Sequence, residues 1–167
     1  MKINEIPAGE KVFIDANIFI YHFTGVSEQC SQFLIRCEKN EINAVTSVNV
    51  LLEVLHRLMM VEAVKKNLVT PPNVRKKLEN NPSIVTQLSD YFLNTQKIPM
   101  MGIEIVEVDF QTFLKSQNFR NTYGLMVNDS IILASMQKEG IHSLVTNDEG
   151  FNIVEDIFVF NPDDLEI

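Results

Sequence analysis

The chain has 167 residues, room for one ordinary domain with a core of its own, expected over 1–167. Hydrophobic residues make up 46% and charged residues 22%, with six Gly and six Pro, which excludes disordered, collagen-like and linker-type chains. The net charge is −8, no apolar run is long enough to span a bilayer, and the opening MKINEIPAGEK lacks the apolar core of a signal peptide, so a cytoplasmic protein is expected.

The run KVFI (11–14) reads as a buried strand stopped by Asp15. Residues 16–23 read as a helix, and Ser27 as the cap of a second helix to about Asn40. Cys30 and Cys37 lie two turns apart on that helix, too far to bridge, so both are expected to be reduced. INAVT (42–46) is a second strand. Ser47 then caps an apolar helix with Leu51, Leu55 and Leu58 on its inner face. A break at Pro71-Pro72 is followed by a long polar helix from about Asn73 to Gln96, interrupted near Pro82. IEIVEVD (103–109) alternates as a strand. Residues 110–119 and 128–139 read as helices, the latter stopped by Gly140. SLVT (143–146) and IFVF (157–160) are the last strands. This alternation predicts an α/β protein, a three-layer α/β/α sandwich around a mostly parallel sheet, with a helical insertion at about 61–102.

The charge is unevenly spread. Arg57, Lys65, Lys66, Arg75, Lys76 and Lys77 face only Glu62 between 57 and 77, while eight acids and no base follow Lys138. An acidic protein is a poor match for nucleic acid as a whole, so any phosphate contact is expected from that basic stretch.

In open parallel sheets, ligands bind beyond the carboxyl ends of the strands. Asp15 ends the first strand. Glu53 lies in the second turn of the helix after strand two. Asp129 opens the helix in VNDSIILAS, and Asp148 follows SLVT within TND. Several carboxylates in one crevice require a compensating cation, and an all-oxygen ligand set selects Mg²⁺ or Mn²⁺. Such a cation supports phosphodiester hydrolysis. Asp109 also ends a strand, but its place before a helix marks it as a cap. No GxxxxGK or GxGxxG loop is present, and no His pair has metal-ligand spacing. A haloacid-dehalogenase-type phosphatase needs Asp-x-Asp after the first strand, and here Asn17 stands two places after Asp15.

VFIDANIFIYHF, TSVNVLLEV, VNDSIILAS and LVTNDEGF occur in that order and together resemble the four signature blocks of PIN-domain ribonucleases, a family that includes the VapC toxins. The resemblance implies a catalytic set of Asp15, Glu53, Asp129 and Asp148, with metal held by Asp15, Asp129 and Asp148. It also implies supporting roles for Asn17, Thr146 and Asn147, a sheet order of 3-2-1-4-5, and a tendency to dimerise. The function it implies is metal-dependent RNA hydrolysis, in a toxin paired with an antitoxin protein. The alternative is a non-catalytic PIN-like interaction module.

Overall fold

The computed structural model describes residues 1–165; Glu166, counted above with the acidic end, lies outside the described residues. Five parallel strands form one sheet: β1 (Lys11–Ile14), β2 (Asn43–Ser47), β3 (Glu104–Val106), β4 (Ser143–Val145) and β5 (Phe158–Phe160). Their order is β3-β2-β1-β4-β5, as the resemblance implied. Central β1 buries Val12, Phe13 and Ile14 completely, the continuous apolar reading of a strand covered on both faces. The registers Ile14↔Val145 and Phe13↔Val45 bring the ends of β1, β2 and β4 level, so the residues just beyond them share one edge.

The edge strands are shorter than predicted. β3 covers three residues of the expected seven because it is paired on one side only, with Val45, Thr46 and Ser47. The outer edge of β5 is covered by the N-terminus: Met1 donates its amino group to the Val159 carbonyl, and Lys2 bridges Asn161 in parallel.

On the first layer, α1 (Ala16–Thr24) closes on Gly25 in the left-handed conformation. α2 (Glu28–Glu38) is capped by Ser27, whose Oγ accepts the Cys30 N–H at 3.0 Å. Cys30 and Cys37 are free and buried. The acidic C-terminal end is not a loose charged tail. Asp164 accepts from Ser27 Oγ (2.6 Å) and the Gln29 N–H (3.0 Å), and Asp163 pairs with Lys2 at 2.8 Å. These carboxylates complement the positive end of α2.

α3 (Val48–Lys65) starts at Ser47, but the Ser47 hydroxyl turns to Asn49 Oδ1 instead of capping a backbone N–H. Its inner face is also displaced from the prediction. Val50, Val54, Leu58 and Glu62 are buried at i, i+4 spacing, while Leu51 and Leu55 are half-buried.

The insertion begins after Lys65, and the single helix expected over 73–96 is three short ones: α4 (Val74–Glu79), α5 (Pro82–Val85) and α6 (Asp90–Thr95). Pro82 has no N–H for a preceding turn and instead takes the first position of α5. The breaks let Leu78 and Leu88 fold back onto Ala63 and Val69, a small second core. The Glu62 carboxylate fixes this limb. It accepts from Lys66 Nζ (2.6 Å) and from the Ser89 (2.9 Å) and Tyr91 (2.8 Å) N–H groups at the start of α6. Burial alone would raise the Glu62 pKa, but these donors hold it down at about 2. The limb returns to the sheet through Gly102, at φ +70°, where a Cβ would meet the Cys37 carbonyl at 2.8 Å.

α7 (Phe110–Tyr123) and α8 (Val127–Glu139) form an antiparallel hairpin on the other layer. Asp109 caps α7 as expected, accepting the Thr112 N–H at 2.7 Å and pairing with Lys138 at 3.0 Å, which holds its carboxyl well below the usual range.

Glu62→Ala leaves the Ser89 and Tyr91 N–H groups unsatisfied, an expected loss of about 2–4 kcal/mol by denaturant titration. Because the folded-state pKa of Glu62 is depressed, its contribution is full above about pH 4.5 and fades as pH falls towards 2. The stability gap between wild type and Glu62→Gln is expected to close over that window.

Candidate active site

Asp15 stands where β1 stops and α1 begins, 7% exposed. Its N–H continues the ladder to the Val145 carbonyl at 3.0 Å, so the sheet itself sets its place. A buried carboxylate must be satisfied, and three donors meet it. Oδ1 accepts the Ala16 N–H (2.6 Å); Oδ2 accepts Thr146 Oγ1 (2.6 Å) and Asn17 Nδ2 (2.9 Å). Burial nevertheless pushes its pKa up to about 6, against the pull of Thr146 and Ala16 and with the negative charges of Glu53 and Asp129 adding to the rise.

The polar residues flanking Asp15 form one network. Asn17 donates to Thr146 Oγ1 (3.0 Å) and accepts the Asn147 N–H (3.1 Å). Thr146 Oγ1 also accepts the Asp148 N–H at 3.0 Å, and Asn147 Nδ2 reaches the Tyr21 hydroxyl at 3.4 Å. These bonds fasten the segment after β4 to the first turns of α1. Tyr21 was not singled out in the sequence; its spacing of four from Asn17, on the same helix face, is the signal that could have found it.

The other three acids come from separate elements. Asp129 is half-buried in the first turn of α8; burial, then Asp148 and Glu53, raise its pKa, and the Met126 N–H opposes the rise. Glu53 is half-buried on α3 and forms no ion pair with Arg57, one turn on, among the described residues. Asp148 is exposed and shapes its own loop, accepting the Gly150 N–H at 2.8 Å through Oδ1. A Cβ on residue 150 would crowd that oxygen at 3.0 Å. The charges are linked: Asp15 feels Glu53 and Asp129, and Asp129 feels Glu53 and Asp148. Among the described residues, no three acidic, Cys or His side chains close tightly enough around one point to cage an ion unaided.

Of the predicted RNA-contacting cations, Arg57 lies one turn after Glu53 on α3, and the rest belong to the end of α3 and to the limb. Lys65 is about 18 Å along α3 from Glu53, from the helical rise of 1.5 Å per residue. Lys66 is held by Glu62 (2.6 Å) and Asp90 (3.1 Å), Arg75 by Glu79 (2.8 Å), and Lys77 by the Thr70 carbonyl (2.6 Å). Arg57, Lys65 and Lys76 are exposed and make no ion pair among the described residues. The local positive excess is therefore smaller in three dimensions than along the chain. A cavity of about 400 Å³ lies between α1, α3 and α6, lined by Phe23, Leu58, Val61, Lys65, Tyr91 and Lys97 among others, and includes none of the four acids.

Three solved structures share this fold. A toxin–antitoxin complex from Klebsiella pneumoniae has a TM-score of 0.55 at 20% identity, covering 88% of this chain and 95% of that one. VapBC2 from Rickettsia felis, bound to a DNA fragment from its promoter, gives 0.58 at 17% identity, covering 90% and 98%. Mycobacterium tuberculosis VapC20, a sarcin–ricin loop cleaving toxin, gives 0.57 at 12% identity, covering 87% and 96%. No curated protein matches the chain by sequence. The PIN-domain family model matches residues 12–157, a span that holds β2, β3, β4, most of β1 and all four acids, and the chain belongs to the PIN-domain family.

Proposed function

We propose that the chain is a metal-dependent ribonuclease working as one domain, with Asp15, Glu53, Asp129 and Asp148 as its catalytic set. The observation that carries this reading is the group of four mutually repelling carboxylates at the carboxyl ends of β1, β2 and β4 and the start of α8, one of them buried and, among the described residues, none neutralised by a basic side chain. A structural role would pair such charges, as Glu62 and Asp109 are paired.

The all-oxygen donor set fits Mg²⁺ or Mn²⁺, which keep several waters and need few protein ligands, so an open cluster is compatible with them. Asp15, Asp129 and Asp148 would hold the ion. When bound, the ion supplies a lowered pKa to water and charge stabilisation to the phosphodiester. Asp15 is oriented for this by Thr146, Asn17 and Ala16, which leave it no freedom to rotate. Glu53 is without an ionic partner among the described residues and would accept a proton from the attacking water or orient it. Asn17 and Asn147 support the loop that carries Asp148.

The fold is shared with toxins from toxin–antitoxin complexes, which supports an antitoxin protein as partner. Val48 and Leu52 expose apolar surface on α3, which supports association as a homodimer. Buried, free Cys30 and Cys37 suit a reducing cytoplasm, and among the described residues no helix is long and apolar enough to cross a membrane.

The raised folded-state pKa of Asp15 means that the folded protein holds the extra proton between its ordinary value of 3.8 and about 6. Its contribution to stability therefore falls as pH rises through that window. Asp15→Asn is expected to be about 1–2 kcal/mol more stable than wild type at pH 7 without metal, the gain being offset in part by the Ala16 N–H. Mn²⁺ at a hundredfold excess over its Kd is expected to raise the wild-type Tm by about 5–10 °C and to leave Asp15→Asn unmoved. An unchanged wild-type Tm in millimolar Mn²⁺ with no RNA cleavage would favour a non-catalytic interaction module.

Replacing Lys65 and Lys76 together by Glu tests the limb without disturbing Glu62. The expected result is weaker RNA binding at low salt and a slope of log K against log salt flatter by about 1.4 if both touch phosphate. An unchanged slope would assign RNA contact to other surfaces.

A further inference from the structure

We propose that Arg120 is a positioning residue for Asp129, acting through the buried hydroxyl of Ser130; its kinetic consequences rest on the ribonuclease reading, its structural ones do not. Arg120 lies in the last turn of α7, and its own carbonyl accepts the Gly124 N–H that ends the helix. Only Gly124, Leu125 and Met126 separate α7 from α8, so the start of α8 is placed by whatever joins the two helices there.

The guanidinium makes that junction. Nη1 donates to Ser130 Oγ at 2.6 Å and to Ser116 Oγ at 3.0 Å. Nε and Nη2 both donate to Gln117 Oε1, at 3.0 and 2.7 Å, which fixes the fork from its other side. Ser116 and Ser130 are completely buried. Each hydroxyl gives its single proton to a backbone carbonyl, of Phe113 and Val127 respectively, at 2.6 Å. Each is therefore left as an acceptor, and only a donor satisfies it. Arginine suits this geometry because its donors form a rigid plane; lysine offers one flexible point. Among the described residues Arg120 has no carboxylate partner, so its donors serve neutral oxygens alone.

Ser130 follows Asp129 directly, in the same first turn. Fixing the Ser130 hydroxyl fixes the rotation of that turn about the helix axis. A carboxylate stands about 5–6 Å from the axis, so a 20° rotation would carry it about 2 Å. That displacement is comparable to the spacing differences that separate productive from unproductive geometry, where about 1 Å costs about a hundredfold in rate. Arg120 bonds to Ser130 and not to the Asp129 carboxylate, which makes the effect one of placement.

The test uses Arg120→Met, Arg120→Lys and Ser130→Ala in the full chain. Three quantities are read: the orientation of the 127–130 turn from backbone residual dipolar couplings without metal, Mn²⁺ affinity by calorimetry, and kcat and KM for RNA cleavage. In Arg120→Met and Ser130→Ala, the orientation of that turn is expected to shift. Mn²⁺ affinity is expected to fall about 5–10-fold and kcat about 10–100-fold, with KM within about twofold. The double variant is expected to be no worse than either single one, and Arg120→Lys to recover part of the loss. If Arg120→Met does not fold, Ser130→Ala carries the same comparison. A wild-type orientation of that turn in the folded variants, or losses that multiply in the double variant, would overturn the proposal. If wild type itself neither binds Mn²⁺ nor cleaves RNA, the ribonuclease reading falls, and the dipolar couplings of the turn still decide the role of Arg120.

Discussion

A carboxylate buried at the end of the central strand is the constraint around which the crevice is built. Asp15 follows three fully buried apolar residues and is itself 7% exposed. In that position an unsatisfied charge would be costly, so donors must converge on it from more than one element. Ala16 and Asn17 come from the helix it caps; Thr146 comes from the end of the neighbouring strand. The same Thr146 oxygen then receives the Asp148 N–H, so satisfying one acid places another. The donors are neutral, however, and the proton affinity of Asp15 stays high. Neutral donors orient the carboxylate and leave its charge uncompensated, which is the condition a divalent cation answers.

α3 shows how environment divides acids of one chemical type into different roles. Glu53 and Glu62 lie on the same helix, nine positions apart. Glu62 ends the buried series Val50, Val54, Leu58 and is met by an ammonium group and backbone N–H groups, so it stays ionised and anchors the limb. The charge of Glu53 is felt by Asp15 and Asp129, and among the described residues it has no ionic partner. Asp109, Asp163 and Asp164 fall on the structural side of this division, each tied to a helix start or a lysine. Each acid paired with a lysine cancels in the sum, so the −8 net charge is carried by the other acids, the crevice set among them. The basic stretch is divided in the same way: Lys66 and Arg75 pair with carboxylates, Lys77 rests on the neutral Thr70 carbonyl, and among the described residues four of the six cations have no acidic partner.

The strand–helix alternation, the parallel sheet and the four acid-bearing blocks were legible in the amino-acid sequence because each depends on local pattern. Apolar runs that stop at Asp15 or at Thr146-Asn147-Asp148 mark strands and their ends, and Ser27, Asp109, Gly25 and Gly140 mark helix limits by their own backbone chemistry. The inner face of α3 was less legible, since Leu51 and Leu55 are as apolar as Val50 and Val54. Only the packed sheet distinguishes them. The helix expected over 73–96 failed because its residues favour helix locally, while burial of Leu78 and Leu88 against α3 requires the chain to turn twice. What tertiary structure alone decided is which charges meet. Lys66 and Asp90, Glu62 and the start of α6, Asp164 and Ser27, and Arg120 and Ser130 come together from separate elements. A charge's role depends on its neighbours in space, and sequence spacing fixes those only within a single turn.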